Sequence, residues 1–369
     1  MESYIHLLQI QLHFHEYKFA LLCFVTAFVV TLIAIPPIIR LSRQYKLYDI
    51  PNARKEHSNP IPTMGGIAIF GGMMLSLLLW FPFSNEIWQI CFFVSAILLC
   101  ALGIMDDLKD LSAKYKFAVQ IALAFLIALS GIRITSFDGL FGINELPLYT
   151  QYTFTVLAIV GITNAFNLVD GIDGLAGGLG FMSLVTVGIF LTVSGDTSGA
   201  LIAFALAGGI LAFLHYNFSP ARIFMGDTGS LILGFVIAVL CIRLLKINVA
   251  AANPVIHHIP VFILGIVLIP VFDTVRVFSV RIWRGKSPFE ADRTHIHHLL
   301  TNSGFSHVTV VKTICLIHAA ILLKVYLLQQ VRQEFILILL IAFMTIVIYI
   351  FKYSGVLFSK RNNKLKTYP

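Results

Sequence analysis

Apolar runs of about twenty residues recur along the whole chain and are separated by shorter polar segments. A transmembrane helix needs about 20 apolar residues, and eleven segments of this 369-residue chain meet that requirement. These segments cover roughly 19–40, 65–82, 87–105, 115–133, 152–169, 176–194, 199–216, 228–246, 258–278, 309–328 and 334–352. The pattern predicts an all-α polytopic membrane protein with about eleven transmembrane helices.

The composition of the chain supports the same class. Hydrophobic residues make up 58% of the chain and charged residues 12%, with a mean hydropathy of +0.89, which excludes an ordinary soluble domain. All five cysteines lie in apolar runs without metal-ligand spacing and are interpreted as small hydrophobic residues. No signal peptide is expected, because the N-terminal residues lack a basic segment and a cleavage site. We predict one integral-membrane domain over 1–369, with a motif-bearing core at about 40–300, two last spans in 309–352 and a basic cytoplasmic tail at 353–369.

Lysine and arginine are distributed unevenly between the two sides of the predicted membrane. Eleven spans place the termini on opposite sides, and 20 of the 26 basic residues lie on the side of the C-terminus. Basic residues concentrate in cytoplasmic loops, so we expect a cytoplasmic C-terminus and an N-terminus outside. The net charge of +8 follows from this bias, and no nucleic-acid partner is expected.

One polar stretch, from Asn164 to Gly178, lies between the fifth and sixth apolar runs. It contains two amides, Asn164 and Asn167, two carboxylates, Asp170 and Asp173, and four glycines. Charged groups beside the bilayer core are costly and mark functional sites by default. This stretch is therefore the first candidate for a site.

The acidic residues gather on one side of the predicted membrane. Of the eleven aspartates, Asp138 and Asp196 alone map to the outer side. A transporter would be expected to place ionisable groups at the bilayer midplane within broken helices. The distribution instead predicts an active site on the cytoplasmic face.

Two acidic motifs on that face point to metal or phosphate chemistry. Asp106 and Asp110 are one helical turn apart if the third helix continues, which favours a bound cation or a carboxylate of raised pKa acting as a base. A solvated helix end fits this motif equally well. Asp227 opens the eighth run beside Gly226 and Gly229, where a helix N-terminus could bind a phosphate and Mg²⁺ could bridge Asp227 to it. An ordinary helix cap is the simpler reading of this second motif when it is taken alone.

A third cluster, Arg293-Thr-His295-Ile-His297-His298, carries three histidines. It lacks the cysteines or the histidine spacing of a zinc site. These side chains, beside several arginines, are therefore interpreted as hydrogen-bond donors to a bound phosphate. A basic juxtamembrane loop explains the arginines but not the histidines. Asp273, within the ninth run, is predicted to be a buried partner of Arg276, with a substrate role as the minority interpretation.

Taken together, the motifs resemble a known family, the polyprenyl-phosphate N-acetylhexosamine-1-phosphate transferases of glycosyltransferase family 4. The resemblance rests on five motifs in order: Arg54-Lys-x-His57 with Gly65-Gly66, Asp106-Asp107-x-x-Asp110-Leu, Asn164-Ala-x-Asn167-x-x-Asp170-Gly-x-Asp173-Gly-Leu, Gly226-Asp227-x-Gly229-Ser230 and Arg293-x-His295-Ile-His297-His298. It covers about residues 40–300.

The resemblance implies an enzyme of the bacterial inner membrane that uses Mg²⁺, or Mn²⁺ as an alternative. Its partners would be a UDP-N-acetylhexosamine, undecaprenyl phosphate and membrane lipid, and a large apolar surface is compatible with a homodimer. The sugar-1-phosphate would be transferred to the lipid with release of UMP, initiating a cell-surface glycan.

The resemblance also implies roles for individual residues. Asn167 and Asp227 match metal ligands, whereas Asp106 and Asp107 match a pair near the lipid phosphate. Phe224 matches an aromatic side chain that stacks on uracil. The candidates are, as catalytic residues, Asp106, Asp107, Asp170 and Asp173; as metal ligands, Asn167 and Asp227; and as substrate-binding residues, His57, Lys116, Phe224, Arg293, His295, His297 and His298.

The choice of sugar is less sharply indicated than the reaction. The interrupted histidine motif resembles the branch that transfers GlcNAc-1-phosphate, whereas Ile61-Pro-Thr-Met64-Gly-Gly resembles the phospho-MurNAc-pentapeptide translocases. A non-catalytic nucleotide-sugar or lipid transporter is the alternative from another class. A CDP-alcohol phosphatidyltransferase would need an aspartate spacing that the segment around Asp170 and Asp173 does not supply.

Overall fold

The computed structural model describes residues 2–45, 48–49, 61–287 and 294–365, and it is 77% helical. Side chains are described for 17–45, 48, 61–287 and 294–353. The helices are α1 Glu2–Gln44, α2 Gly65–Trp80, α3 Ile87–Lys109, α4 Ala113–Leu129, α5 Leu148–Val169, α6 Leu175–Val193, α7 Thr197–Asn217, α8 Gly226–Ala250, α9 Ile259–Trp283, α10 Ile296–Thr301, α11 His307–Leu327 and α12 Gln333–Leu365. The strands are β1 Tyr48–Asp49, β2 Ile61–Pro62, β3 Ser136–Leu140 and β4 Ile143–Glu145.

Every predicted span corresponds to a helix. Within the described residues, nine helices are long and apolar enough to cross a membrane, which confirms a polytopic membrane protein. The two exceptions are α2 and α4, with 16 and 17 residues. The short helix α10, between α9 and α11, was not predicted, because six residues are too few to produce a periodic pattern.

Helix α8 lies at the centre of the helical assembly and packs against α2, α3, α5 and α6. In its most apolar stretch 83% of the residues are buried, compared with 17% in α12. A helix that is apolar on all sides must be enclosed by protein or by lipid. The burial shows that α8 is enclosed by protein, whereas α12 presents its apolar side chains outward, as expected of a lipid-facing helix.

The all-α prediction omitted two short antiparallel hairpins, β1–β2 and β3–β4. The second hairpin turns through Asp138 and Phe141, which have positive φ angles, and glycines follow both residues. Gln333 donates a 2.9 Å hydrogen bond to the carbonyl of Asp138, and Glu334 accepts one from the N–H of Phe141. These contacts connect the hairpin to the start of α12.

The start of α2 brings its backbone against the start of α8. The N–H of Gly65 donates to the carbonyl of Phe224 at 2.9 Å, and that of Gly66 donates to Met225 at 2.8 Å. A Cβ atom on Gly66 would overlap the backbone of Gly229. The contact therefore requires residues without side chains, and it places the segment before α8 beside the ends of α3, α4 and α5.

Candidate active site

The first turn of α8 is capped by a carboxylate from another helix. Asp107, near the end of α3, accepts hydrogen bonds from the N–H of Asp227 at 2.8 Å, the N–H of Thr228 at 3.1 Å and the Thr228 hydroxyl at 2.6 Å. Gly226 has a φ of +72°, and a Cβ atom there would meet the Asp107 carboxylate at 2.7 Å. The sequence predicts a phosphate at this helix N-terminus. In the structure the Asp107 carboxylate is the anion that accepts hydrogen bonds from its N–H groups.

The two aspartates at the end of α3 therefore face different partners. Asp106 is buried, and its Oδ2 lies 2.7 Å from the Lys116 ammonium, while its Oδ1 accepts the N–H of Leu111 at 2.8 Å. The prediction that Asp110 shares the helix face of Asp106 is wrong. Helix α3 ends at Lys109, and Asp110 has a left-handed backbone conformation that directs the chain towards α4.

Lys116 joins two helices through their acidic residues. Its Nζ lies 2.7 Å from Asp106 Oδ2 and 3.1 Å from Asp227 Oδ2. A single positive charge between two carboxylates offsets the repulsion that would otherwise separate them. Lys116 therefore keeps the carboxylates of Asp106 and Asp227 close together.

Asn167, near the end of α5, completes this group. Its Nδ2 donates to Asp227 Oδ1 and to the hydroxyl oxygen of Ser230, both at 2.9 Å. Ser230 in turn donates to the carbonyl of Gly226 at 2.9 Å. Four helices, α3, α4, α5 and α8, therefore bring Asp106, Lys116, Asn167 and Asp227 together.

A cavity of about 400 Å³ opens beside these residues. Lys116, Asn167, Asp227 and the three histidines of the third cluster contribute to its wall. The remaining lining residues are Ala113, Phe117, Gln120, Asn164, Leu168, Gly171, Leu231, Phe278 and Arg281. The cavity thus combines charged, amide and imidazole groups with an apolar wall, which suits a polar ligand carried by a lipid.

His295, the first of the three histidines, is held in position by a buried carboxylate. His295 is buried and its Nδ1 lies 2.9 Å from Asp273 Oδ2, while Asp273 Oδ1 accepts a 2.7 Å hydrogen bond from Arg276. The structure confirms Asp273 as a buried partner of Arg276, and it adds His295 to that pair. His295 therefore lines the cavity with one ring nitrogen already bound, so at most one nitrogen is available to a phosphate.

His297 lies against Gly171 and is buried. Burial, with the neighbouring His298 and His295, lowers the pKa of His297 to about 3, so its ring is neutral. Its Nε2 has no hydrogen-bond partner among the described residues. Within the described part of the chain, no group of three or more histidine, cysteine or carboxylate side chains has the arrangement of a metal site.

Asp170 and Asp173 follow α5 and do not line the cavity. Asp173 Oδ2 accepts a 3.0 Å hydrogen bond from the N–H of Ala221, which connects this turn to the segment before α8. Burial, followed by the charges of Asp227, Asp107 and Asp173, raises the pKa of Asp170 to about 7. The Asp170 carboxyl group is therefore partly protonated at neutral pH. Asp170 does not contribute to the cavity wall.

Phe224 is half-buried and also lies away from the described cavity wall. Its N–H donates to the carbonyl of Pro62 at 2.7 Å, and its carbonyl accepts from Gly65. The residue therefore connects the segment before α8 to β2 and α2. The remaining two candidates, His57 and Arg293, lie outside the described residues.

Sequence reasoning missed two amides of this region. Asn217 at the end of α7 accepts the N–H of Gly174 at 2.8 Å and donates to the carbonyl of Ile223 at 2.9 Å, joining the two loops. Gln120 lines the cavity four residues after Lys116. That spacing places both on one face of α4 and could have identified Gln120, whereas nothing in the local sequence marks Asn217.

Comparison with known proteins identifies the family of the chain. Residues 89–245 match the family model described as glycosyl transferase family 4. The chain is 37% identical over 332 residues to a probable undecaprenyl-phosphate N-acetylglucosaminyl 1-phosphate transferase of Bacillus subtilis, covering 88% of this chain and 90% of that protein. The chain belongs to glycosyl transferase family 4.

Further relatives within this family come from enteric bacteria. The undecaprenyl-phosphate alpha-N-acetylglucosaminyl 1-phosphate transferase of Salmonella typhi is 33% identical over 268 residues, 70% of each chain. The protein of the same name from Escherichia coli strain K12 is 30% identical over 276 residues, 72% of each chain. The segment matched by the family model runs from α3 to α8 and contains Asp106, Lys116, Asn167 and Asp227.

Proposed function

We propose that the protein transfers N-acetylglucosamine-1-phosphate from UDP-N-acetylglucosamine to undecaprenyl phosphate in the bacterial inner membrane. The products are undecaprenyl-diphospho-N-acetylglucosamine, which initiates a cell-surface glycan, and UMP. The names of its family relatives support the two substrates. The observation that carries the proposal is the meeting of Asp106, Lys116, Asn167 and Asp227 at a partly apolar cavity among membrane helices.

The residues of this group fit a Mg²⁺ ion, with Mn²⁺ as an alternative. Magnesium commonly uses one or two carboxylates together with substrate phosphates and water, so a cluster of three protein ligands is not required. The ion pairs of Lys116 with Asp106 and Asp227 support this choice, because they place two carboxylates close together. Asp227 and Asn167 would hold the ion, with Asp106 beside them. When bound, it would neutralise the negative charge of the diphosphate and polarise the phosphoryl group.

The protein's own side chains would orient the two phosphates. Lys116 would balance the charge that develops on the departing UMP. Asp106 would orient the lipid phosphate, whose oxygen attacks the β-phosphorus of the UDP-sugar while the bond from that phosphorus to the UMP oxygen breaks in line. Asp107 would act by holding the start of α8, and therefore Asp227, in position.

The neighbouring residues would complete the donor site. His297 and His298 line the cavity and would donate hydrogen bonds to the sugar or its phosphate. Phe224 and Asp173 are proposed to approach the uracil, and Asp170 to support them. His57 and Arg293 are proposed to bind the diphosphate.

The proposed arrangement in the membrane follows the basic residues. Eleven helices would cross, with the N-terminus outside, the C-terminus in the cytoplasm and the site on the cytoplasmic face. The exposed apolar side chains of α12, such as Phe335, Ile338 and Ile346, would face lipid or a second copy of the chain in a homodimer.

The transferase activity is tested with membranes that contain the protein, polyprenyl phosphate, Mg²⁺ and a radiolabelled UDP-sugar. We expect label in the lipid fraction with UDP-N-acetylglucosamine and not with UDP-MurNAc-pentapeptide. Incorporation from the second donor alone would assign the chain to the translocase branch. Absence of label from every donor, with the protein correctly inserted, would contradict the transferase proposal.

The metal assignment is tested with the Asp227→Ala variant. We expect it to insert normally and to lose transfer, and we expect chelation with EDTA to abolish wild-type activity until Mg²⁺ or Mn²⁺ is restored. Full activity of the variant would remove Asp227 from the metal site.

A further inference from the structure

A buried pair of amide side chains lies about one helical turn from Lys116 and Asn167. The pair lies deeper in the helical assembly than these two residues. Gln120 on α4 is 4% exposed, and Asn164 on α5 lies beside it. Gln120 follows Lys116 by four residues, and Asn164 precedes Asn167 by three. At 1.5 Å per residue, the pair lies roughly 5 Å deeper among the helices than Lys116 and Asn167.

The orientation of both amides is determined by one backbone carbonyl. Asn164 Nδ2 donates a 2.8 Å hydrogen bond to the carbonyl of Val160, so this end of the Asn164 amide must be the nitrogen. The same nitrogen donates to Gln120, so the contacting atom of Gln120 must be its oxygen, Oε1. The Nε2 group of Gln120 is therefore the free end of the pair.

That Nε2 group is an unsatisfied donor. It is buried and has no hydrogen-bond partner among the described residues. Gln120 contributes to the wall of the 400 Å³ cavity, which Asn164 also lines, and to a second, mostly apolar cavity of about 10 Å³. A buried N–H group without an acceptor carries an uncompensated desolvation cost. A group kept at that cost beside a cavity is expected to gain its acceptor from a ligand.

The surroundings indicate which acceptor this is. Phe117 and Leu168 form apolar wall beside the pair, whereas the positive charge of Lys116 lies towards the helix ends. A ligand at this depth must carry an acceptor oxygen next to an apolar chain. Among the two proposed substrates, the lipid phosphate has this chemistry, because its oxygens adjoin an isoprenoid chain, while the UDP-sugar is polar throughout.

We propose that Gln120 is a binding residue for the acceptor, donating from Nε2 to an oxygen of the polyprenyl phosphate while Asn164 holds its amide in that orientation. An uncharged donor suits this task, because it orients the phosphate without the strong charge attraction that would oppose attack on the diphosphate. Gln120 thus distinguishes the lipid substrate from the sugar nucleotide. This inference rests on the proposed function.

The test compares Gln120→Met and Gln120→Glu with the wild type, using full-length protein in lipid nanodiscs. Met matches the length of Gln without its donor, and Glu replaces the donor with a negative charge. For Gln120→Met we expect the KM for polyprenyl phosphate to rise tenfold or more, as for the loss of one hydrogen bond to a charged group. The KM for UDP-N-acetylglucosamine should stay within about twofold of wild type. Gln120→Glu should raise the lipid KM further.

The control is Gln89→Met on α3. Gln89 is equally buried at 3% exposure, but its side chain bonds Ser84 and Ser198, away from the cavity. This variant should leave both KM values unchanged. Equilibrium binding of radiolabelled polyprenyl phosphate without the UDP-sugar provides a second readout that does not require turnover.

The outcomes separate this inference from the proposed function. An unchanged lipid KM in both Gln120 variants, or a rise confined to the KM of the UDP-sugar, would overturn the assignment of Gln120. A purely structural role would lower thermal stability without separating the two KM values. If the wild-type protein transferred no label at all, the proposed function itself would fail.

Discussion

The Thr228 hydroxyl donates a 2.6 Å hydrogen bond to Asp107 Oδ2, and the Thr228 backbone N–H donates to the same oxygen at 3.1 Å. Asp107 lies on α3 and Thr228 in the first turn of α8, so this contact connects two helices at the base of the site. The neighbouring residue, Asp227, faces Lys116 and Asn167. The position of the proposed metal ligand thus depends on a hydrogen bond made by the adjacent residue.

The Thr228→Val substitution tests this connection. It removes the hydroxyl and retains the shape of the side chain, so the loss of a buried hydrogen bond to a carboxylate should destabilise the protein by roughly 2 kcal/mol. We expect a lower midpoint of thermal unfolding in detergent and a lower transfer rate, because Asp227 is less firmly held. Thr192→Val is the matched control, since the buried Thr192 hydroxyl bonds the carbonyl of Gly188 within its own helix. An equal effect of both substitutions would contradict a special role of the Asp107 contact.

Asp106 and Lys116 are expected to act as one unit. Asp106→Asn and Lys116→Met should each lower the transfer rate by about a hundredfold or more, since each removes a charge from the site. The double variant should lose about as much as the worse single variant, because residues that act together have non-additive effects. Initial rates at saturating concentrations of both substrates measure this.

Lys114→Met is the control for this pair. Lys114 is exposed on the same turn of α4, and its replacement should leave the rate unchanged. Fully additive losses in the double variant would show that Asp106 and Lys116 act independently.

Gly66 should tolerate no side chain where α2 crosses α8. A Cβ atom in Gly66→Ala would overlap the backbone of Gly229, which cannot move away as a side chain can. We expect a loss of about 1–3 kcal/mol from overpacking, measured as a lower thermal midpoint. In Gly71→Ala on the same helix the added Cβ meets nothing within 4 Å, so stability should be unchanged or slightly higher. A neutral Gly66→Ala variant would show that the two helices can separate without cost.

His297 should make the stability of the protein depend on pH. Burial lowers its pKa in the folded state from 6.5 to about 3. Between those values the unfolded chain binds a proton that the folded protein does not, so stability present above pH 6.5 is lost as the pH falls. At pH 5 the loss from this residue is roughly 2 kcal/mol.

Thermal midpoints at pH 7 and pH 5 measure this effect. His297→Gln cannot be protonated, so its midpoint should fall less than that of the wild type between the two values. His215→Gln, at an exposed histidine, should retain the wild-type fall. An identical fall in the wild type and in His297→Gln would show that His297 is protonated in the folded protein.

The sequence alone identified the membrane class and singled out candidate residues for the chemistry. Apolar runs of the right length predict helices because each span must satisfy its own backbone hydrogen bonds in lipid. Helices α5 and α9 are long and apolar enough to cross, although they carry Asn167 and Asp273, whereas α2 and α4 are shorter. Asp273 in α9 was correctly predicted to pair with Arg276, because a separation of three residues on a helix brings side chains together.

Tertiary structure decided which of these residues meet and how. Asp107 caps α8, His295 bonds Asp273, and Asn164 bonds Gln120. Each of these hydrogen bonds joins residues 22 to 121 positions apart in the chain. Periodicity determines the face of a helix that a residue occupies, but not the helix that lies opposite. That choice depends on how closely the backbones pack, as at Gly66 and Gly229, and therefore on the whole assembly of helices.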